Sequence, residues 1–152
     1  MGHTFVEDLM QPNVISIDSA MNVKDAATMM ADANIGCIIV TKGNTPVGIL
    51  TERDFVSRVV SKYLPLTTPV TDVMSSPLIK ISPDETVWEL ALLMKTKGIH
   101  KVAVQKDNKL VGIITTTDIA NICSLGSDSE MRRICDQILC RIKDDNQKRK
   151  SI

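Results

Sequence analysis

Apolar and polar positions follow two rhythms along this chain, one with a period near two and one near 3.6, and both return in the same order a second time. Short apolar runs open each cycle, Val14-Ile15-Ser16-Ile17 and Leu78-Ile79-Lys80-Ile81, and predict strands whose approaches are held extended by Pro12 and Pro77. A helical stripe follows. Val23, Ala26, Ala27 and Met30 fall at i, i+3, i+4 and i+7, as do Val87, Leu90, Ala91 and Met94. The second of these helices is expected to start at Ser82 as N-cap, with Pro83 in the first helical position and Glu85 closing a capping box. Second strands are predicted at 37–40 and 101–104 and third strands at 46–50 and 110–114, each pair joined by a polar turn, Lys42-Gly43-Asn44 or Lys106-Asp107-Asn108. Thr-x-x-Asp then opens a further helix at about 52–62 and again at 116–124.

The recurrence extends to the residues themselves. A shift of 64 places 6–55 on 70–119 without a gap, and 17 of those 50 positions are identical. The unit reads β-α-β-β-α, so the expected class is α/β (α+β) built from two copies of one small fold. The expected boundaries are 1–62 for the first copy, 63–69 for a linker containing Pro65 and Pro69, 70–125 for the second copy, and 126–152 for a C-terminal helix and charged tail. In that last segment Met131, Ile134, Ile138 and Ile142 recur at helical spacing over 128–143, a face that packs on its own module or pairs with another chain.

Composition narrows the functional classes. With 152 residues, 43% of them hydrophobic, the chain can bury a sizeable core, and with only 3% aromatics that core is aliphatic. The formal net charge is zero, which gives no global field for nucleic acid or an anionic membrane. The scarcity of aromatics also removes the stacking platforms of single-strand binders. Cys37, Cys123, Cys135 and Cys140 form no C-x-x-C pair, and His3 and His100 are the only histidines, so no metal site is expected. The cysteines are expected as free thiols in a reducing cytoplasm. No membrane span and no signal peptide are read from the pattern. No nucleophile–base pair stands out, so catalysis is not expected.

The ordered set of motifs resembles the cystathionine-β-synthase (CBS) domain: V-E-D-L-M at 6–10 and V-T-D-V-M at 70–74, V-G-I-L-T-E-R-D at 47–54 and V-G-I-I-T-T-T-D at 111–118, and G-I-H-K-V-A-V at 98–104. The resemblance covers about 6–124. It implies a tandem pair, or Bateman module, packed sheet to sheet about a pseudo-two-fold axis, with adenosine-containing ligands (AMP, ADP, ATP or an S-adenosylmethionine-like molecule) bound in two clefts between the repeats. It further implies regulation of a separate, unidentified effector protein and pairing into a homodimer. A module whose clefts are empty and which serves as an interaction scaffold is the alternative.

The residues supply the chemistry for such a ligand. A ribose offers two adjacent hydroxyl donors, and one carboxylate offers two acceptor oxygens. By resemblance, Asp54 and Asp118 grip ribose while Thr51 and Thr115 lie near phosphate, where a helix N-terminus adds partial positive charge. Thr-x-x-Asp is also a plain helix-start pattern, and that alternative stays open. If it is only the ligand that needs the acid, Asp118→Ala leaves the melting temperature nearly unchanged. The resemblance directs His100 and Lys101 at phosphate. Gly36 and Cys37 occupy the matching places in the first repeat, so Arg53 stands as its alternative cation, with Arg58 a weaker candidate, against the plain reading of an exposed arginine. The resemblance further implies adenine against Val14, Ile15, Ser16 and Ile35 in one pocket and Leu78, Ile79, Lys80 and Ile99 in the other.

Overall fold

A computed structural model of the chain describes residues 3–123 together with 129, 132, 133 and 136. The elements are α1 (Val6–Leu9), β1 (Ser16–Asp18), α2 (Val23–Ala33), β2 (Cys37–Lys42), β3 (Thr45–Thr51), α3 (Glu52–Asp54) continuing as a π-helix (Phe55–Val60), a 3₁₀ turn (Val70–Asp72), β4 (Lys80–Ile81), α4 (Val87–Lys97), β5 (Lys101–Lys106), β6 (Lys109–Thr115) and α5 (Thr116–Cys123). They form two three-stranded sheets, β1-β2-β3 and β4-β5-β6, in a mixed α/β arrangement. In each sheet the first strand runs parallel to the second, across a helical connection that parallel pairing requires. In the first sheet, β2 and β3 make the predicted hairpin, with Cys37 opposite Thr51 and a register shift at Val40/Thr41.

The compact units are not the two sequence repeats. One unit takes the leading segment up to Pro12 together with Lys80–Lys106 and the chain from Val111; the other takes Asn13–Ile79 with Asp107–Leu110. Each repeat's leading segment therefore serves the body of the other repeat. The hydrogen bonds repeat at the same 64-residue shift. Val6 N donates to Glu85 O at 2.9 Å, as Val70 N donates to Met21 O at 3.0 Å; Val87 N donates to Thr4 O at 3.0 Å, as Val23 N donates to Thr68 O at 2.9 Å. Gln11 and Ile113 exchange backbone bonds, as do Ser75 and Ile49. The D-x-M and V-G-I motifs meet through this exchange. A Cβ on Gly48 would lie 2.5 Å from Met74 Sδ, and one on Gly112 would lie 2.6 Å from Met10 Sδ. Only glycine lets the methionine sulfur and the adjoining carbonyl come so close.

The stripes bury as their spacing requires, with one exception each. In α2, Val23, Ala26 and Met30 are buried and Ala27 is exposed; in α4, Val87, Leu90 and Met94 are buried and Ala91 is half-buried. The first-repeat core adds Ile17, Ile38, Val40, Leu50, Val59, Val70 and Val73. In the other unit Val6, Ile81, Val102, Val104, Ile114 and Ile119 are buried. Asn34 and Gly98, equivalent residues, end the two helices in the left-handed conformation, the usual way to satisfy the last carbonyls. The start of α4 departs from the sequence expectation. Thr86, not Ser82, is the N-cap, and Glu89, not Glu85, returns to its backbone N–H at 2.8 Å. Ser82 O instead accepts from Glu85 N in a turn, and Pro83 is buried there, so the box forms one turn later. The strands at 14–17 and 78–81 are shorter than predicted, because Val14, Ile15, Leu78 and Ile79 precede the paired residues. Cys37 is in no disulfide, but Cys123 is disulfide-bonded, which corrects the expectation of thiols throughout. Of the helix expected at 128–143, residues 129, 132, 133 and 136 are described and are helical; the rest of it and the charged tail lie outside the described residues.

Candidate functional site

Each Thr-x-x-Asp turn sits where the third strand of its sheet ends and a helix begins. In the first-repeat unit Asp54 is 6% exposed. Its Oδ2 accepts from Thr51 N at 2.8 Å and from Thr51 Oγ1 at 3.0 Å. In the second, Asp118 Oδ2 accepts from Thr115 N at 2.8 Å and Thr115 Oγ1 at 3.1 Å, and Asp118 N donates back to Thr115 Oγ1 at 3.3 Å. Both are helix-start boxes in which one carboxylate oxygen already takes two donors. This changes the ribose picture drawn from sequence. A carboxylate oxygen has about two lone-pair directions, so Oδ2 is filled and only Oδ1 remains for a sugar hydroxyl.

The two Oδ1 atoms have different companions. Asp118 Oδ1 accepts from the side-chain amide of Gln11 at 3.2 Å. Asp54 Oδ1 lies 3.5 Å from Arg58 Nε. Arg58 Nη1 also donates to Val73 O at 2.8 Å and Met74 O at 3.0 Å. So Arg58, rather than Arg53, is the cation at Asp54; Arg53 is exposed, and its carbonyl accepts from Ser57 Oγ at 2.8 Å. Gln11 had no signal in the sequence, since 107 residues separate it from Asp118. Arg58 had one, its place one helical turn after Asp54.

His100 and Lys101 come to the same corner as Thr115. Thr116 N, the first of α5, donates to His100 O at 3.0 Å, and β5 begins at Lys101. Glu52 N donates to Gly36 O at 3.2 Å at the equivalent place in the first-repeat unit. There a groove of about 440 Å³ is lined by Ala27, Met30, Ala31, Ile35, Gly36 and Phe55, with Asn34 and Glu52 as its polar members. Of the residues expected against adenine in the first pocket, Ile35 lines this groove, while Val14, Ile15 and Ser16 do not. Ile15 packs on the core, Val14 is half-buried and Ser16 is exposed. In the second set Ile99 is half-buried and donates its N–H to Met94 O at 3.1 Å, and Lys80 is exposed on β4 opposite Ala103. Leu78 is buried and Ile79 half-buried; they fall in the other compact unit from Lys80, Ile99, His100 and Lys101. Among the described residues no group of three His, Cys, Asp or Glu side chains is placed to hold a metal, and no helix is long and apolar enough to cross a membrane.

The family description "CBS domain" matches residues 6–61 and 70–124. The chain is 35% identical over 119 residues to the uncharacterized protein YlbB of Bacillus subtilis (strain 168), which spans 77% of this chain and 80% of that one. Among solved structures it is similar to the CBS domain pair of protein MJ0100 in complex with 5′-methylthioadenosine and S-adenosyl-L-methionine, with a TM-score of 0.73, 25% identity, and coverage of 81% of this chain and 98% of that one. It shares its fold with the CBS domain protein PAE2072 from Pyrobaculum aerophilum complexed with AMP, with a TM-score of 0.73, 22% identity, and coverage of 88% and 98%.

Proposed function

Because the chain belongs to the CBS-domain family through both of its repeats, we propose that it is a regulatory module, not a catalyst, that binds an adenosine-containing ligand at its Thr-x-x-Asp turns and acts on a partner protein. One observation carries the reading. Both turns hold the carboxylate rigidly through Oδ2 and leave Oδ1 to a single side chain, Gln11 or Arg58, that a ligand can displace. A ribose hydroxyl would donate to that oxygen, and a rigid acceptor costs less ordering on binding than a mobile one. Lys101 and His100 would meet phosphate or another anionic group at the second turn. The adenosine ligands named for the MJ0100 pair agree in class with this chemistry. Occupancy would be read out through the difference in ligand affinity between two states of the module, since a ligand shifts an equilibrium only by that difference. The reading includes a homodimer, for which Val56, Val60 and Tyr63 offer exposed apolar surface, and a cytoplasmic setting.

A second reading, a scaffold that binds no small molecule, is favoured by the same geometry seen otherwise: both carboxylates already have protein partners on each oxygen. Calorimetric titration with AMP, ADP, ATP and S-adenosylmethionine separates the two. Saturable binding of any of them supports the sensor; no heat at high micromolar protein supports the scaffold.

A further inference from the structure

We propose that Arg58 is a latch on the first-repeat site: its guanidinium holds Asp54 Oδ1 until a ribose-bearing ligand takes that oxygen, and its release frees the carbonyls of Val73 and Met74 at the start of the second repeat. This rests on the nucleoside reading above and adds a regulation to it.

Asp54 Oδ2 is filled by the N–H and hydroxyl of Thr51, so a sugar hydroxyl has only Oδ1 to bind, and Arg58 Nε stands 3.5 Å from it. The same guanidinium is anchored at its other end by Val73 O at 2.8 Å and Met74 O at 3.0 Å. It therefore spans the carboxylate and the leading segment of the second repeat. The local helix places it there. After Asp54 the chain winds as a π-helix, Phe55–Val60, with Ser61 N bonded to Val56 O and Leu64 N to Val59 O, five residues apart. Wider winding turns the chain less per residue, which sets the side chain four places on more nearly above Asp54, and π turns recur at functional positions. The second repeat lacks the device. Its helix is α from Thr116 to Cys123, the residue equivalent to Arg58 is Ile122, and Asp118 Oδ1 meets the neutral amide of Gln11. A neutral amide yields to a hydroxyl without separating charge. A guanidinium fixed at both ends must break a charge pair on one side and leave two carbonyls on the other. The two sites of this near-symmetric chain thus differ in how ligand enters them, and only the first couples entry to residues 73–74.

The test uses adenosine, which is neutral and so excludes attraction between Arg58 and a phosphate. Arg58→Met is compared with the unaltered residue in an Asp118→Ala background, where only the first-repeat site reports. The expected result is adenosine bound about two- to fivefold more tightly by Arg58→Met, the range that loss of a partly exposed ion pair allows, with Arg58→Lys closer to the arginine form. Removing a merely structural contact lowers the melting temperature without tightening adenosine. Unchanged or weaker adenosine binding in Arg58→Met overturns the latch. If Asp118→Ala does not fold, methyl NMR of the full chain gives the same comparison, with Ile35 reporting the first site and Ile99 the second. Adenosine bound at the second site alone in every form overturns the latch and leaves the nucleoside reading standing; adenosine bound by no form removes both.

Discussion

Gln11 donates its side-chain amide to Asp118 at 3.2 Å, although 107 residues separate them in the chain. The contact completes a carboxylate whose other oxygen already takes the N–H and hydroxyl of Thr115. Asp118 is therefore both the start of a helix and the acceptor proposed for ribose. Asp118→Ala is expected to abolish ligand binding at the second turn and also to destabilise the apo protein by about 1–2 kcal/mol, the usual cost of losing a helix-start acceptor. This replaces the sequence expectation of an unchanged melting temperature. Thermal unfolding with and without AMP checks both parts, and an apo melting temperature equal to the wild type contradicts the geometry.

Asp54→Ala should cost more. Asp54 is buried, and its loss strands the Thr51 N–H and leaves Arg58 without its acid. A loss of about 2–3 kcal/mol is expected, since unpaired buried polar groups are costly. Urea unfolding of the two alanine variants side by side measures the difference; equal losses would place Asp54 in a setting no different from that of Asp118.

The motif glycines give a sharper packing test. A methyl at Gly48 meets Met74 Sδ at 2.5 Å and Ser75 O at 2.9 Å; at Gly112 it meets Met10 Sδ at 2.6 Å and Gln11 O at 3.0 Å. Gly48→Ala and Gly112→Ala should each destabilise by about 1–3 kcal/mol, the range for overpacking. Adding Met74→Ala to Gly48→Ala should recover only part of the loss, because the backbone carbonyl remains. Denaturant midpoints of the single and double variants decide the matter, and full recovery would mean that the sulfur alone sets the spacing.

These contacts show what the sequence could and could not tell. Strand, helix, strand and hairpin were legible in each repeat because burial follows spacing, as Val23, Ala26 and Met30 show. The two turns were legible because Thr51/Asp54 and Thr115/Asp118 recur after the same apolar run. The exchange of leading segments was not. Val6 and Val70 are equivalent, so either body offers each of them the same set of partners, and periodicity has no term for which copy is chosen. The true cap of α4 was missed because Ser82 and Thr86 both precede a glutamate at the right spacing, and only the turn at Ser82–Glu85 decides between them. Arg58 stands one helical turn after Asp54, which the sequence does show, but its second anchor, the carbonyls of Val73 and Met74, lies 15 and 16 residues on, where no residue pattern announces it.

That cap carries a pH signature. The backbone N–H of Thr86, followed by the Glu85 side chain and the Thr86 hydroxyl, holds the Glu89 carboxyl below its ordinary value. The Glu89 side chain, through a hydrogen bond and its charge, pushes Glu85 up. A lowered carboxyl stabilises the fold above its unfolded pKa and loses that contribution as pH falls through the folded one; the raised Glu85 works in the opposite sense. Thr86→Ala, which removes the Thr86 hydroxyl, should cost about 1 kcal/mol near neutral pH. The difference from wild type should shrink as pH falls below the ordinary glutamate range of about 4. Melting temperatures of both proteins from pH 7 to pH 3 test this, and a difference that grows on acidification contradicts it.

Lys101→Ala should weaken AMP more than adenosine, because only AMP presents a phosphate. The ratio of the two dissociation constants before and after the change is the readout. Equal losses for both ligands would take Lys101 out of the phosphate role.

The central claim is that a ribose hydroxyl docks on the carboxylate oxygen that each Thr-x-x-Asp turn leaves to a single displaceable side chain. A crystal structure of the protein grown with AMP or S-adenosylmethionine tests it most directly. A ribose hydroxyl is expected within hydrogen-bond distance of Asp118 Oδ1 or Asp54 Oδ1, with Gln11 or Arg58 moved aside. Ligand bound elsewhere, with Gln11 and Arg58 still on their aspartates, would contradict it.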